Sequence, residues 1–187
     1  MPKRSEEHLQ ARRDQILAGA RRAFAQHGYE GATVARLEEE IGLSRGAIFN
    51  YYPSKLELFV ALATEDEARI LSTWIEQGFE AVLREIAEEN PDWLGVYLEN
   101  ARFLRTDAAF RERWKSRNPE LEKVTHDRLA QLQEQGEIRD DVPLEQIGRF
   151  VGLLIDGIAV QVSSGFPVDV EPVLELLEDA IAPRKFS

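Results

Sequence analysis

Residues 33–55 read TVARLEEEIGLSRGAIFNYYPSK, and this stretch predicts two short helices joined by a tight turn. Apolar residues recur at helical spacing in its first half: Val34, Leu37 and Ile41. Thr33 and Ser44 are of the types that cap helix N-termini, and Gly42 suits the turn between the two helices. The arrangement predicts a helix-turn-helix, a motif whose second helix enters the major groove of DNA.

Polar side chains on the second predicted helix are of the types that contact DNA. Arg45 can donate two hydrogen bonds to one guanine, which gives roughly 1–3 kcal/mol of discrimination between bases. Gly46 would allow the backbone close to DNA, and Asn50 would face the same way. Candidates for phosphate contacts, which set register but read no sequence, are Thr33, Ser44, Tyr51 and Lys55. The alternative is a helical hairpin that does not bind DNA.

The remainder of the chain also predicts helices, so the expected fold class is all-α. Pro53 ends the second helix of the motif, and Ser54 begins a longer one. Further helices are predicted at about 92–105, 108–116, 119–135, 141–163 and 169–181. We expect a three-helix helix-turn-helix domain over residues 1–53, followed by a larger helical domain for ligand binding and dimerisation over residues 54–187.

Composition sets limits on the class of protein. Hydrophobic residues make up 43% and charged residues 30% of the 187 residues, as in soluble globular proteins. No apolar run approaches the ~18–20 residues that span a bilayer, and the first residues do not form a signal peptide. The chain has no cysteine, which excludes disulfides and thiol catalysis. We therefore expect a cytoplasmic protein with no membrane partner.

Charge is unevenly distributed along the chain, whose net charge is −11. Residues 1–55 carry nine Lys/Arg and seven Asp/Glu, whereas the remainder carries fourteen and twenty-seven. Because only the contacting face of a DNA-binding protein must be positive, an acidic body is compatible with DNA binding. A solvated acidic surface would explain the same asymmetry.

One enzyme motif is formally present but lacks its context. Residues 42–46, GLSRG, match the nucleophile-elbow pattern of hydrolases, which requires a strand before the serine. A helix is predicted there instead, so we expect no catalytic residue. His8, His27 and His126 lie on separate predicted helices, which disfavours a histidine metal site. A helical small-molecule-binding protein or enzyme without DNA binding, and a protein-interaction module, remain alternatives.

Isolated polar residues within mostly apolar helices predict an effector pocket: Asn100, Arg102, Arg128 and Glu178. The alternative for each is a surface residue or a paired ion. Gly148, Gly152 and Asp156 recur at four-residue spacing on one helix, and small residues there would permit close approach of a second copy. We expect a homodimer through this face, whereas use of these helices as a monomer's core would predict no dimer.

The first third of the chain resembles the DNA-binding region of the TetR family of bacterial regulators. The resemblance rests on ARRAFAQHGYEGATV at 20–34 and GLSRGAIFNYYPSKLELF at 42–59. The family often has Tyr where Phe49 stands, so a hydroxyl contact is absent there. The resemblance implies a homodimer that occupies a palindromic operator, represses transcription and responds to a small molecule.

Scattered segments further resemble the aconitase-repressor branch of that family. They are ARLEE at 35–39, SRGAIF at 44–49, LRTD at 104–107, RDDVP at 139–143 and LELLE at 174–178. This resemblance implies a carboxylate effector such as citrate, with Arg128 binding it through a guanidinium fork. Glu178 would help to hold Mg²⁺ with that effector, since Mg²⁺ prefers oxygen ligands. No other cofactor is expected.

Overall fold

The described part of this computed structural model, residues 3–116 and 119–184, contains ten helices and no strand. The helices are α1 (Lys3–Gly31), α2 (Val34–Ile41), α3 (Arg45–Phe49), α4 (Lys55–Gln77), α5 (Phe79–Glu88), α6 (Pro91–Thr106), α7 (Ala108–Lys115), α8 (Pro119–Glu134), α9 (Leu144–Ser163) and α10 (Glu171–Ile181). The predicted all-α fold is confirmed. None of the described helices has the length and apolar character needed to cross a membrane.

Local chemistry sets the helix ends near the motif. Gly28 interrupts α1 with a φ of 68°, and Gly42 ends α2 with a φ of 73°, both in the left-handed region that glycine tolerates. Helix α3 is shorter than predicted, because the amide of Tyr51 donates to the carbonyl of Ile48 at 3.0 Å. This i to i−3 bond tightens the chain into a turn after Phe49.

Contacts within the chain define two compact units, and the first contains residues 1–67 and 92–117. Its core is aromatic: the Tyr29 ring lies within 6.0 Å of the rings of Phe24, Phe59, Phe103 and Phe110. Since Phe103 and Phe110 belong to α6 and α7, these helices pack against α1 and α4 in one unit.

The compact units therefore differ from the predicted division after residue 53. Helices α6 and α7, expected in the second domain, pack with the helix-turn-helix region instead. A buried carboxylate reinforces that packing, because Asp66 accepts hydrogen bonds from Trp93 Nε1 at 2.8 Å and from the Tyr97 hydroxyl at 2.9 Å. A functional boundary at residue 53 stays a prediction.

The second unit contains residues 68–91 and 118–187. Its apolar core is built from α4, α5, α8 and α9, with the loop after α8: Trp74, Val82, Leu129, Leu132, Ile138 and Ile147. At the end of α10, the guanidinium of Arg139 donates to the Ala180 carbonyl at 3.0 Å and to the Asp141 carboxylate at 2.7 Å. These bonds fasten the loop after α8 to the last helix.

Candidate nucleic-acid interface

Helices α1 and α2 pack with their backbones unusually close together. A Cβ atom built on Gly19 would lie 2.7 Å from Ile41 Cα and 2.9 Å from the Glu40 carbonyl oxygen. Side chains of α1 also bind the last carbonyls of α2: Gln15 Nε2 donates to Ile41 O at 3.0 Å, and Arg22 Nη2 to Glu40 O at 2.7 Å. Helix α1 thus fixes the end of α2 from which the turn departs.

The start of α3 is held by two side-chain caps. Ser44 Oγ accepts the Ala47 amide at 3.4 Å, and Glu38 Oε1 accepts the Arg45 amide at 2.6 Å. Ile48 is fully buried and anchors the opposite face of α3 in the first unit's core. The predicted cap at Ser44 is present, whereas the contribution of Glu38 was not predicted.

The residues predicted to read DNA lie on the outer face of α3. Ser44, Arg45, Gly46 and Asn50 are all exposed. In the described part of the chain, the Arg45 guanidinium has no hydrogen bond or ion pair, so its five donors are available to a partner. A Cβ on Gly46 would meet nothing within 4 Å, so the protein's own packing does not require a glycine there.

The residues predicted to contact phosphate differ in how far hydrogen bonds and packing within the chain already engage them. Thr33 is exposed, and its Oγ1 accepts the Arg36 amide at 3.4 Å as the cap of α2. Tyr51 is half-buried against the apolar core of the unit. Phosphate binding by Thr33, Ser44, Tyr51 and Lys55 stays a prediction.

Lys55 has a structural role that was not predicted. Its Nζ donates to the carbonyl of Tyr29 at 2.8 Å and lies 4.6 Å from the centre of the Tyr29 ring. Partial burial there lowers the pKa of Lys55 below its ordinary value. Lys55 therefore satisfies a free carbonyl near the end of α1, as basic side chains commonly do at helix C-termini. The pairing links residues 26 apart, which local sequence does not reveal.

The four residues predicted for an effector site do not form one cluster within either unit. In the first unit, Asn100 is 1% exposed, whereas Arg102 is exposed and lies 5.9 Å from the Phe103 ring. In the second unit, Arg128 is half-buried and lines a cavity, whereas Glu178 is exposed and does not line it. Neither amide atom of Asn100 has a hydrogen-bond partner among the described residues.

The cavity in the second unit has a volume of about 370 Å³. Trp74 and Phe79 stack at 5.3 Å in its wall, and Leu132 adds further apolar surface. Arg128 is its basic residue, and Glu76 and Glu137 are acidic. The Nε of Arg128 is buried and unpartnered within the described chain, while its Nη1 donates to Gln131 at 2.9 Å. The Arg128 donor beside the apolar wall is the part of this lining that suits a small anionic ligand.

No ligand set surrounds the residue predicted to bind Mg²⁺. Across residues 3–116 and 119–184, no three His, Asp or Glu side chains are grouped so as to hold a metal ion. Glu178 projects from α10 as an exposed residue without such companions. A lone carboxylate is a weak ligand set for Mg²⁺, so the described residues do not by themselves fit the predicted site.

The three residues of the predicted dimer face differ in their surroundings on α9, and their role in a dimer stays a prediction. A Cβ on Gly148 would lie 3.4 Å from Leu129 Cδ1, so Gly148 faces α8 of its own chain. Each four-residue step turns about 40° around a helix, which carries the stripe from the inner side at Gly148 towards solvent. Gly152 meets nothing within 4 Å, and Asp156 is exposed. Beside Asp156 lies an exposed apolar face: Phe150, Leu153 and Val160.

Comparison with known proteins decides the family. The profile described as bacterial regulatory proteins, tetR family, matches residues 16–62. A transcriptional repressor of Mycobacterium tuberculosis, Rv1474c, is 45% identical over 97% of this chain and 98% of its own. The repressor AcnR of Corynebacterium diphtheriae is 44% identical over 97% of both chains. The chain belongs to the TetR family.

Membership of the TetR family confirms several predictions made from the sequence of this protein. Its resemblance to the aconitase-repressor branch is confirmed, and the protein is a helix-turn-helix DNA-binding regulator rather than an enzyme. Among solved structures, GusR of Salmonella enterica has a TM-score of 0.73 at 19% identity, covering 91% of this chain and 93% of its own. At that identity the likeness concerns the fold alone.

Proposed function

We propose that this TetR-family protein represses transcription by occupying a palindromic operator as a homodimer, and that a small carboxylate modulates its affinity for that operator. The observation that carries the DNA-reading part is Arg45, which is exposed at the start of α3 and whose guanidinium has no partner among the described residues. The guanidinium is therefore available for two hydrogen bonds to a guanine. Asn50 and the open space at Gly46 support approach of the same face to a base edge.

A second copy of the chain would dimerise through the outer face of α9 and α10. On α9, Phe150, Leu153 and Val160 are exposed, and on α10 Leu176 is 70% exposed. Exposed apolar side chains on both helices favour association, because burial removes them from water. A two-fold dimer also suits the target, since paired recognition helices must reach half-sites ~34–36 Å apart. Gly152 and Asp156 border this face.

The effector would bind in the cavity beside Arg128. A carboxylate such as citrate would take up the unpartnered Nε donor, and Trp74 and Phe79 would form the apolar wall. Mg²⁺ would enter bound to the oxygens of the effector itself, because Glu178 does not line this cavity. Asn100 and Arg102 lie in the other unit and remain further candidates. An effector weakens DNA binding only as far as it prefers the conformer that does not bind DNA.

Fluorescence anisotropy with labelled DNA from upstream of the protein's own gene tests the DNA-reading part. The titrations are run at two salt concentrations against unrelated DNA of the same length. We expect tighter binding to the upstream DNA, and we expect Arg45→Ala to relax specificity at one base position in each half-site. Arg105→Ala, which removes an exposed charge of the same kind from α6, is the matched control and should retain it. Equal affinity for the upstream and the unrelated DNA would call for a selection from a random DNA library. If that selection enriched no sequence, the proposal would be rejected.

Tryptophan fluorescence tests the effector, because Trp74 lines the cavity. Citrate is titrated with Mg²⁺, without Mg²⁺ and with EDTA, and operator affinity is measured at saturation. We expect a change in Trp74 emission that Trp74→Phe removes and Arg128→Ala prevents. Arg149→Ala, an exposed arginine in the same unit, should leave the response intact. No response under any condition would exclude citrate, and a response that requires Mg²⁺ but is unchanged by Glu178→Gln would show that the metal enters with the effector and not on Glu178.

A further inference from the structure

Helix α3 is too short to fix its own beginning. It contains five residues, and the amides of its first turn have no carbonyl partner within the helix. The Ser44 cap is long, at 3.4 Å from the Ala47 amide. The bond from the Arg45 amide to the Glu38 side chain is much shorter, at 2.6 Å, which makes it the stronger of the two.

Glu38 connects both sides of the turn between α2 and α3. Its backbone carbonyl accepts the Gly42 amide at 2.9 Å and so closes the end of α2. Its carboxylate reaches across the left-handed Gly42 to the backbone of Arg45. One residue of α2 thus makes hydrogen bonds on both sides of the turn that leads to Arg45.

We propose, on the basis of the DNA-reading function proposed above, that Glu38 is the positioning residue for Arg45 and thereby controls base preference. Two parallel bonds from a guanidinium to one guanine demand accurate placement of the arginine backbone. Loss of the Glu38 bond would let the start of α3 shift, and Arg45 would then reach phosphates as easily as a base edge. Non-specific affinity rests on charge, so it would persist while discrimination fell.

Two variants distinguish the effect of side-chain length at Glu38 from the effect of its charge. Glu38→Gln keeps the side-chain length and an oxygen acceptor but removes the charge. Glu38→Asp keeps the charge but withdraws the carboxylate by one methylene from the Arg45 amide. Glu39→Gln, at the exposed neighbour in the same helix, controls for charge alone. All three should fold, which melting temperature and circular dichroism verify.

The readout is affinity for operators that differ only at the base pair that Arg45→Ala identifies. We expect the wild type to prefer one base there by roughly 5- to 150-fold, and Glu38→Gln to retain that preference. Glu38→Asp should lose most of it while binding non-operator DNA as the wild type does. In the Arg45→Ala background, Glu38→Asp should have no further effect on discrimination.

The results distinguish failure of this inference from failure of the proposed function. If the wild type itself shows no operator preference, the DNA-reading function is rejected, and with it the role of Glu38. If the wild type discriminates and Glu38→Asp discriminates equally well, the positioning role is overturned. An equal loss of affinity for every DNA, or a loss in Glu38→Gln but not in Glu38→Asp, would also overturn it.

Discussion

Replacing Gly19 with alanine should destabilise the helix-turn-helix region and impair operator binding. The new methyl group would lie 2.7 Å from the Cα of Ile41 and 2.9 Å from the carbonyl oxygen of Glu40. Both are backbone atoms, so no side chain can rotate away to make room. Helix α2 must therefore move away from α1, and the turn that positions α3 must move with it.

The magnitude follows from two opposing contributions. Inserting a methylene-sized group into a packed contact costs about 1–3 kcal/mol, and a rigid backbone neighbour favours the upper part of that range. Alanine recovers about 1 kcal/mol relative to glycine within a helix. The free energy of unfolding should thus fall by about 1–2 kcal/mol, which corresponds to a melting temperature roughly 2–8 °C lower for a chain of this size.

Thermal unfolding and operator titration measure the two effects, and Gly95→Ala is the matched control. Gly95 lies within α6 of the same unit, and a Cβ there would meet nothing within 4 Å. Its replacement should stabilise the protein by roughly 0.5–1 kcal/mol and leave operator affinity unchanged. If Gly19→Ala matched the control in both measurements, the close α1–α2 contact would not constrain the motif, and the reasoning would be wrong.

Three further changes test other parts of the structure. Gly28→Ala should lower the free energy of unfolding, measured in urea, by about 1–2 kcal/mol, because φ is 68° and the new Cβ would lie 2.6 Å from Glu99 Oε1. A variant as stable as the wild type would refute this. Leu153→Arg should yield monomers in sedimentation velocity, since Leu153 is 64% exposed on the proposed dimer face, and persistent dimers would move the interface elsewhere. The Arg113 hydrogen bond lowers the pKa of Glu57 below its ordinary 4.5, so its stabilisation is present above that pH and disappears as the pH falls through the lowered value. Glu57→Gln should therefore cost stability at pH 7 and progressively less as the pH is lowered below 4.5, and a loss that did not change with pH would contradict the pairing.

Most helix boundaries were predictable because neighbouring residues determine them. Thr33 and Ser44 precede their helices by one residue, and their hydroxyls bind amides three positions on. Gly28 and Gly42 mark breaks through their own backbone preference. Caps and glycine breaks act within about one helical turn, so the residues that determine them stand close together in the sequence.

The features that the sequence did not predict depend on contacts between residues that are far apart in the sequence. Lys55 reaches the Tyr29 carbonyl across 26 positions, and no local pattern indicates that pairing. The grouping of α6 with α1 depends on the Tyr29 and Phe103 rings meeting at 5.2 Å. A Cβ built on Gly148 would lie 3.4 Å from Leu129 Cδ1, and that contact likewise joins residues far apart in the sequence.

Three acidic residues, 38–40, lie close to Arg45 in the sequence, and unpaired carboxylates there would oppose DNA binding. Their hydrogen bonds show that two of them are engaged elsewhere. Glu38 accepts the Arg45 backbone amide at 2.6 Å, so it engages that residue without occupying its guanidinium. Glu40 pairs with Arg22 of α1 at 3.3 Å. Each of these two carboxylates thus fixes a helix junction, and the Arg45 guanidinium remains unpaired among the described residues. Net charge is therefore a poor guide to DNA binding here, because these acidic residues position the contacting face.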